Sequence, residues 1–155
     1  MTAASMATNS RAESMHTLNW LALSLTPGIG AGRGRKLLEL FDGVGRLFSA
    51  SLTELEAAGI PASAAQSLAL GKSQEPAAEE LDRIQSVGAA VVSQDDPAYP
   101  RRLYEIYDPP LLFYMRGSVE VISQYGLAVV CTRHPTPFGW ALQSACRRTW
   151  RRTGW

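Results

Sequence analysis

The segment from Tyr99 to Gly139 most limits what this chain can fold into, because two short apolar runs in it each end in a polar loop. The first run, Leu111 to Met115, follows two prolines that fix where a strand can begin. The second run, Leu127 to Val130, precedes a loop and then Thr136-Pro137. Threonine can cap the unpaired amides of a helix, and proline suits the first helical position. This order predicts strand, loop and helix in an α/β fold with a parallel sheet.

The loop after the second run is a candidate phosphate site. Thr132 and Arg133 lie there, just before the predicted helix. The positive end of a helix dipole, next to an arginine at the carboxyl end of a parallel strand, favours binding of an anion. The alternative is that Arg133 is only exposed to solvent, which would fit the same sequence pattern.

A larger set of residues forms a recognisable pattern: Tyr99-Pro100, Leu103, Ile106, Asp108-Pro109-Pro110, Leu112-Phe113-Tyr114, Arg116-Gly117 and Ala128 to Arg133. This pattern resembles the DNA-processing protein A family, also called DprA or Smf. The resemblance covers Leu18 to about Ala141. It implies a small all-helical domain of the helix-hairpin-helix or SAM-like type, followed by a Rossmann-like three-layer parallel sheet that is incomplete here.

The resemblance also implies a function and a site. Members of the family are non-enzymatic, need no cofactor, bind single-stranded DNA, form homodimers and load the RecA recombinase during natural transformation. Their phosphate loop, Gly-Ser/Thr-Arg, falls on Cys131, Thr132 and Arg133. Cys131 replaces the glycine, and its Cβ would crowd a close approach of the backbone to a phosphate. Much of the family's dimer and RecA surface lies in portions that this chain does not contain.

Two other functions remain open from the residues. One is a nucleotide-processing hydrolase, since related Rossmann-like folds cleave phosphoribosyl groups, and the other is a helical interaction module. The sequence offers an enzyme no positioned nucleophile, no acid and base paired in a loop, and no metal-ligand cluster. Asp95 and Asp96 could hold magnesium, but Asp96-Pro97 better fits the start of a helix that runs to about Leu103.

Residues 17–72 are predicted to form the helical domain. Pro27-Gly28-Ile29-Gly30 resembles the turn of a helix-hairpin-helix, in which two glycines approach a DNA phosphate and Ile29 fills the gap between helices. The candidate DNA contacts are Gly28, Gly30, Arg33, Arg35 and Lys36. A dinucleotide-binding loop is excluded, because Arg33 occupies the position of its third glycine. A tight turn in an interaction domain remains an alternative. Ser51 and Glu54 predict a capping box for a second, weaker helical pair.

Residues 77–141 are predicted to begin the Rossmann-like domain, after a polar break at Gly71 to Pro76. A helix from Ala77 to Ser86 precedes a buried parallel strand from Gly88 to Val92. Aromatic residues then alternate with arginines, a composition that either packs the core or stacks nucleic-acid bases. These residues are Tyr99, Arg101, Arg102, Tyr104, Tyr107, Phe113, Tyr114 and Arg116.

The two ends of the chain differ from the rest. We predict that residues 1–16 are disordered and that residues 142–155 form an aberrant basic tail. If the codons of this tail are read in a displaced frame, they are compatible with Ala-Asp-Leu-Ala and a longer family-like helix. Our hypothesis is therefore that the chain is a frame-shifted or prematurely ended member of the resembled family. A working nucleic-acid or membrane-surface tail is the alternative. The chain has only two cysteines, Cys131 and Cys146, which favours a cytoplasmic protein. It has no apolar run of about 20 residues, so no membrane partner is expected.

Overall fold

A computed structural model of the chain describes residues 3–118, 121, 132, 134 and 136–152, with side chains described between residues 13 and 145 of those ranges. The chain divides into two compact units, Met1–Gly117 and Ser118–Trp155. In the first unit the elements are α1 (Ala3–Leu25), α2 (Ala31–Leu40), α3 (Val44–Ser49), α4 (Leu52–Ala57), α5 (Ala62–Ala69), α6 (Gln74–Ser86), β1 (Ala90–Ser93), α7 (Arg101–Tyr104) and β2 (Leu112–Met115). The second unit contains α8 (Pro137–Arg152).

Helix α1 begins earlier than the sequence suggested. The structure places residues from Ala3 onward in this helix, where we predicted disorder through residue 16. Residues 3–16 contain four alanines and two methionines, which have high helix propensity. It is also continuous with Trp20 to Leu23, which are buried, so packing fixes the carboxyl half of the same helix.

The helical part has one main core. Buried side chains from five helices, from the turn between α1 and α2, and from the residue before β2 meet there: Trp20, Leu23, Ile29, Leu37, Val44, Leu47, Leu55, Ala64, Ala65, Leu68 and Leu111. The predicted capping box is confirmed, because the Glu54 amide donates to Ser51 Oγ at 3.4 Å and the Ser51 amide donates to Glu54 Oε2 at 2.7 Å. Hydrogen bonds from Ser51 lower the pKa of Glu54.

Helix α6 packs on α1 and continues this unit beyond the polar break. Leu21 and Ala22 of α1 are buried together with Ala77 and Ile84 of α6. Thr26 Oγ1 donates to the Ala22 carbonyl at 2.7 Å, so the buried Ser73 hydroxyl, 3.0 Å away, donates to Thr26. The stretch from Gly71 to Pro76, which we predicted to separate two domains, therefore lies inside one compact unit.

The small sheet corrects the prediction of parallel strands. Strands β1 and β2 pair antiparallel, from Ala90 opposite Met115 to Ser93 opposite Leu112. The connection between them contains only the four-residue helix α7, which turns the chain back instead of crossing over the sheet. In β2 the side chain of Tyr114 is 49% exposed, because two strands bury little of their surface. The third predicted strand, Leu127 to Val130, lies outside the described residues.

In the second unit, the predicted start of α8 is confirmed. The Gly139 amide donates to Thr136 Oγ1 at 3.3 Å, the Trp140 amide donates to the Thr136 carbonyl at 3.1 Å, and Pro137 is the first helical residue. The helix continues to Arg152, into the segment 142–155 that we predicted to be an aberrant tail. Arginine has high helix propensity, which accounts for the extension. Among the described residues, none of the helices combines the length and apolar character needed to cross a bilayer.

Candidate nucleic-acid interface

The turn between α1 and α2 has the predicted geometry. Gly28 adopts a φ of 85°, a conformation that favours glycine, and the Ile29 amide donates to the Thr26 carbonyl at 3.2 Å. Ile29 is only 6% exposed and joins the main core, so it fills the gap between the helices. Gly30 precedes α2 in an extended conformation, and both glycines are exposed. The backbone of the turn is thus accessible to a ligand.

The basic residues of α2 are held in different ways. Arg33 is exposed, and its Nη1 donates to the Gly28 carbonyl at 3.0 Å. Arg35 Nη2 lies 3.8 Å from Asp108 Oδ1, in the segment that leads to β2. Lys36 is exposed, and no ion pair is found for it within the part of the chain that the structure describes. The side chains of Arg33 and Lys36 are therefore the more available cations of this helix.

A second glycine turn faces α2 across an open groove. This groove has a volume of about 600 Å³ and is lined by Arg33, Lys36, Leu37, Glu39, Leu40, Ala58, Gly59 and Ile60. Gly59 has a φ of 74° in the connection between α4 and α5, where the sequence predicted a weaker copy of the first turn. Two cations and one carboxylate line the groove, which gives it a net positive character.

The aromatic and arginine-rich segment divides into packed and exposed rings. Tyr99 is buried, its hydroxyl donates to the Pro110 carbonyl at 2.7 Å, and its ring lies 5.7 Å from that of Phe113. The ring centroids of Tyr104 and Tyr99 lie 4.7 Å apart, and the Tyr104 hydroxyl donates to the Gln94 carbonyl. Burial raises the pKa of Tyr99 and of Tyr104. Tyr107 is fully exposed, so its ring is more accessible than the rings of Tyr99 and Tyr104.

The carboxylates after β1 are engaged within the chain. Asp95 accepts from Ser93 Oγ at 2.6 Å and lies 2.8 Å from His16 Nε2. Asp96 Oδ1 accepts from the Ala98 amide at 2.8 Å in a turn, and α7 begins only at Arg101, so the predicted helix from Asp96 to Leu103 is wrong in its bounds. Within the described residues there is no group of three or more His, Cys, Asp or Glu that could hold a metal ion.

The predicted phosphate loop is only partly described. Thr132 is exposed, four residues before the Thr136 that caps α8. Cys131 and Arg133 lie outside the described residues. The structure thus provides the helix start that the prediction needs, and contact of these three residues with a phosphate stays a prediction.

Comparison with known proteins gives a family match for the carboxyl-terminal part of the chain. Residues 90–155 match the family described as DNA recombination-mediator protein A. This part of the chain is similar to that family. The resemblance to the DNA-processing protein A family is thereby confirmed, and the match includes residues 142–155, which we predicted to be an aberrant tail.

One curated relative covers more of the chain. The chain is 27% identical over 125 residues to Protein Smf of Synechocystis sp. (strain ATCC 27184 / PCC 6803 / Kazusa), which is 77% of this chain and 31% of that protein. The chain therefore spans about a third of the length of the relative it matches. No solved structure matches the chain.

Sequence reasoning missed the contact between α2 and the segment before β2. A Cβ added to Gly34 would lie 2.5 Å from Leu111 Cδ1, so these two segments touch closely. The signal was present as Gly32 and Gly34 inside an otherwise helical pattern, since glycine within a helix usually has a packing reason.

Proposed function

We propose that this chain acts in DNA processing by binding single-stranded DNA, with Thr132 and Arg133 holding backbone phosphates. The observation that carries the proposal is the family match over residues 90–155, which includes the loop before α8. That helix begins with a capped first turn at Thr136 and Pro137. An anion at this point would gain from the helix dipole and from the Arg133 charge.

Cys131 distinguishes this loop from the glycine of the family pattern. A Cβ at this position keeps the backbone farther from a phosphate than glycine would, so side-chain contacts from Thr132 and Arg133 supply more of the binding. A positively charged arginine also makes binding depend on salt, because each neutralised phosphate releases counterions. Restoring glycine, Cys131→Gly, should therefore tighten binding.

The same proposal extends to partners. The chain would act without enzymatic activity or a cofactor, in the cytoplasm, and would help to place RecA on single-stranded DNA during natural transformation. Homodimers and a Rossmann-like sheet belong to this proposal through the family resemblance. The alternatives, a nucleotide hydrolase and a helical interaction module, do not require binding to an oligonucleotide.

Fluorescence anisotropy with a short labelled oligothymidylate tests the proposal. The unaltered chain should bind, and its affinity should fall as salt rises. Arg133→Ala should weaken binding and reduce the magnitude of the slope of log K against log salt by about 0.7, the value for one phosphate contact on a single strand. Thr132→Ala should weaken binding without changing the slope, because threonine is uncharged.

Arg83→Ala is the matched control. Arg83 lies on α6, is 70% exposed, and pairs with Glu79 and Glu80 on its own helix. Its loss removes the same charge outside the proposed site and should leave the slope unchanged. An equal effect of the two arginine variants would show that net charge, and not this loop, determines binding.

A further inference from the structure

The fold brings together two motifs that are far apart in the sequence. Helix α2 carries the cations of the helix-hairpin-helix-like turn, and residues 105–108 lie within the aromatic and arginine-rich segment. A Cβ added to Gly32 would lie 3.9 Å from Asp108 Oδ1, and Arg35 Nη2 lies 3.8 Å from the same oxygen. Tyr107 is the residue before Asp108, so it belongs to the short segment that contacts α2.

The outer face of α2 is basic. Gly34 and Leu37 are buried against the core, and at about 3.6 residues per turn this directs Arg33 and Lys36 outward. Arg35 lies at the edge toward residues 105–108. Asp108 is paired with Arg35, and the Glu39 carboxylate lines the same groove as Arg33 and Lys36. Two further arginines, Arg101 and Arg102, are exposed on α7.

Tyr107 gives this face a stacking ring. Its side chain is 101% exposed, whereas Tyr99 is 4% exposed and Tyr104 is tied by its hydroxyl to the Gln94 carbonyl. A fully exposed ring contributes nothing to the core of this unit. An exposed ring beside cations is the arrangement by which proteins stack a base while neutralising the adjacent phosphates.

We infer that the outer face of α2 and residues 105–108, here called the α2–loop surface, bind a single nucleic-acid strand. Arg33 and Lys36 contact its phosphates, the exposed backbone at Gly28 and Gly30 leaves room for them, and Tyr107 stacks on a base. The inference rests on the proposed function for its ligand class, but it places contacts in the first compact unit, at residues that differ from Thr132 and Arg133.

The first test separates stacking from charge. The full chain is titrated with labelled oligothymidylate and with an abasic strand of the same length. Tyr107→Ala should lower the affinity for oligothymidylate at least about fivefold, the lower limit for losing one stacked base, and leave the abasic strand unaffected. Tyr107→Phe should retain the affinity, because the ring remains. Leu70→Ala, at another exposed apolar side chain, should change neither.

The second test removes the cations. The double variant Arg33→Gln/Lys36→Gln should reduce the magnitude of the salt slope by about 1.4, the sum for two phosphate contacts, on both strands alike. Arg46→Gln/Arg83→Gln removes two charges from exposed ion pairs on α3 and α6 and should leave the slope unchanged.

The outcomes distinguish this inference from the proposed function. If Arg133→Ala weakens binding while the Tyr107 and α2 variants do not, the α2–loop surface is refuted and the proposed function stands. If the Tyr107 and α2 variants weaken binding while Arg133→Ala does not, the surface is supported and the phosphate contact at Arg133 is refuted. A Tyr107→Ala effect that is equal on both strands overturns stacking, and no binding by the unaltered chain overturns both proposals.

Discussion

Replacement of Gly34 by alanine tests whether α2 and the segment before β2 share one core. The added Cβ would lie 2.5 Å from Leu111 Cδ1 and 3.0 Å from Cδ2, well inside the contact optimum of about 3.5–4.0 Å. Leu111 is 5% exposed, so it cannot move away without disturbing its neighbours.

The expected magnitude follows from two opposing effects. Alanine in place of glycine inside a helix contributes about 1 kcal/mol of stability. Overpacking against a buried leucine costs about 1–3 kcal/mol. Gly34→Ala should therefore change the free energy of unfolding by between about 0 and −2 kcal/mol. Gly32→Ala, whose Cβ would meet Asp108 Oδ1 at an ordinary 3.9 Å, should gain about 1 kcal/mol.

Urea unfolding followed by circular dichroism measures both variants and a double-mutant cycle with Leu111→Ala. Leu111→Ala by itself should cost about 2–5 kcal/mol. In that background Gly34→Ala should become stabilising by about 1 kcal/mol, because the clash is gone, which gives a coupling energy of about 1–3 kcal/mol. If Gly34→Ala stabilises the unaltered chain as much as Gly32→Ala does, Leu111 does not press on α2 and the reasoning fails.

Two further predictions concern local structure in the helical part. Ser51→Ala should cost about 1 kcal/mol in urea unfolding through loss of the cap on α4. The pKa of Glu54 is lowered in the folded state, so Glu54 stabilises the fold above its ordinary pKa, and this stabilisation is lost as the pH falls through the folded value. Ser51→Ala should therefore reduce the loss of stability in acid. An unchanged dependence of stability on pH in acid would contradict this. Gly28→Ala should destabilise by about 1–2 kcal/mol in the same assay, because its φ of 85° is unfavourable for alanine, whereas Gly30→Ala should cost less; equal costs would contradict the turn geometry.

The features that the sequence predicted correctly are local ones. The capping box at Ser51 and the capped start of α8 at Thr136 each depend on residues within one turn, so their pattern determines their geometry. The turn at Gly28 to Ile29 is similar, because a glycine and a single apolar residue suffice to specify it. The sequence therefore predicts the conformation of the candidate turn, but it does not predict the contacts of these residues with a ligand.

The features that it missed depend on distant contacts. Apolar runs predicted both strands. An apolar run does not indicate whether a strand pairs parallel or antiparallel, so the antiparallel pairing of β1 with β2 could not be derived from it. The polar residues from Gly71 to Pro76 have the composition of a linker, and only packing of α6 on α1 shows that they are not one. The approach of Asp108 to Arg35 likewise depends on the packing of Leu111 against Gly34.

The buried hydroxyl pair of Thr26 and Ser73 has a practical consequence for protein engineering. Polar, glycine-containing stretches such as Gly71 to Pro76 are the usual places to insert a tag, a fluorescent domain or a new chain terminus. Here an insertion would draw Ser73 away from Thr26 and leave the buried Thr26 hydroxyl without its donor. Reporter fusions are better placed at the exposed connection around Gly59.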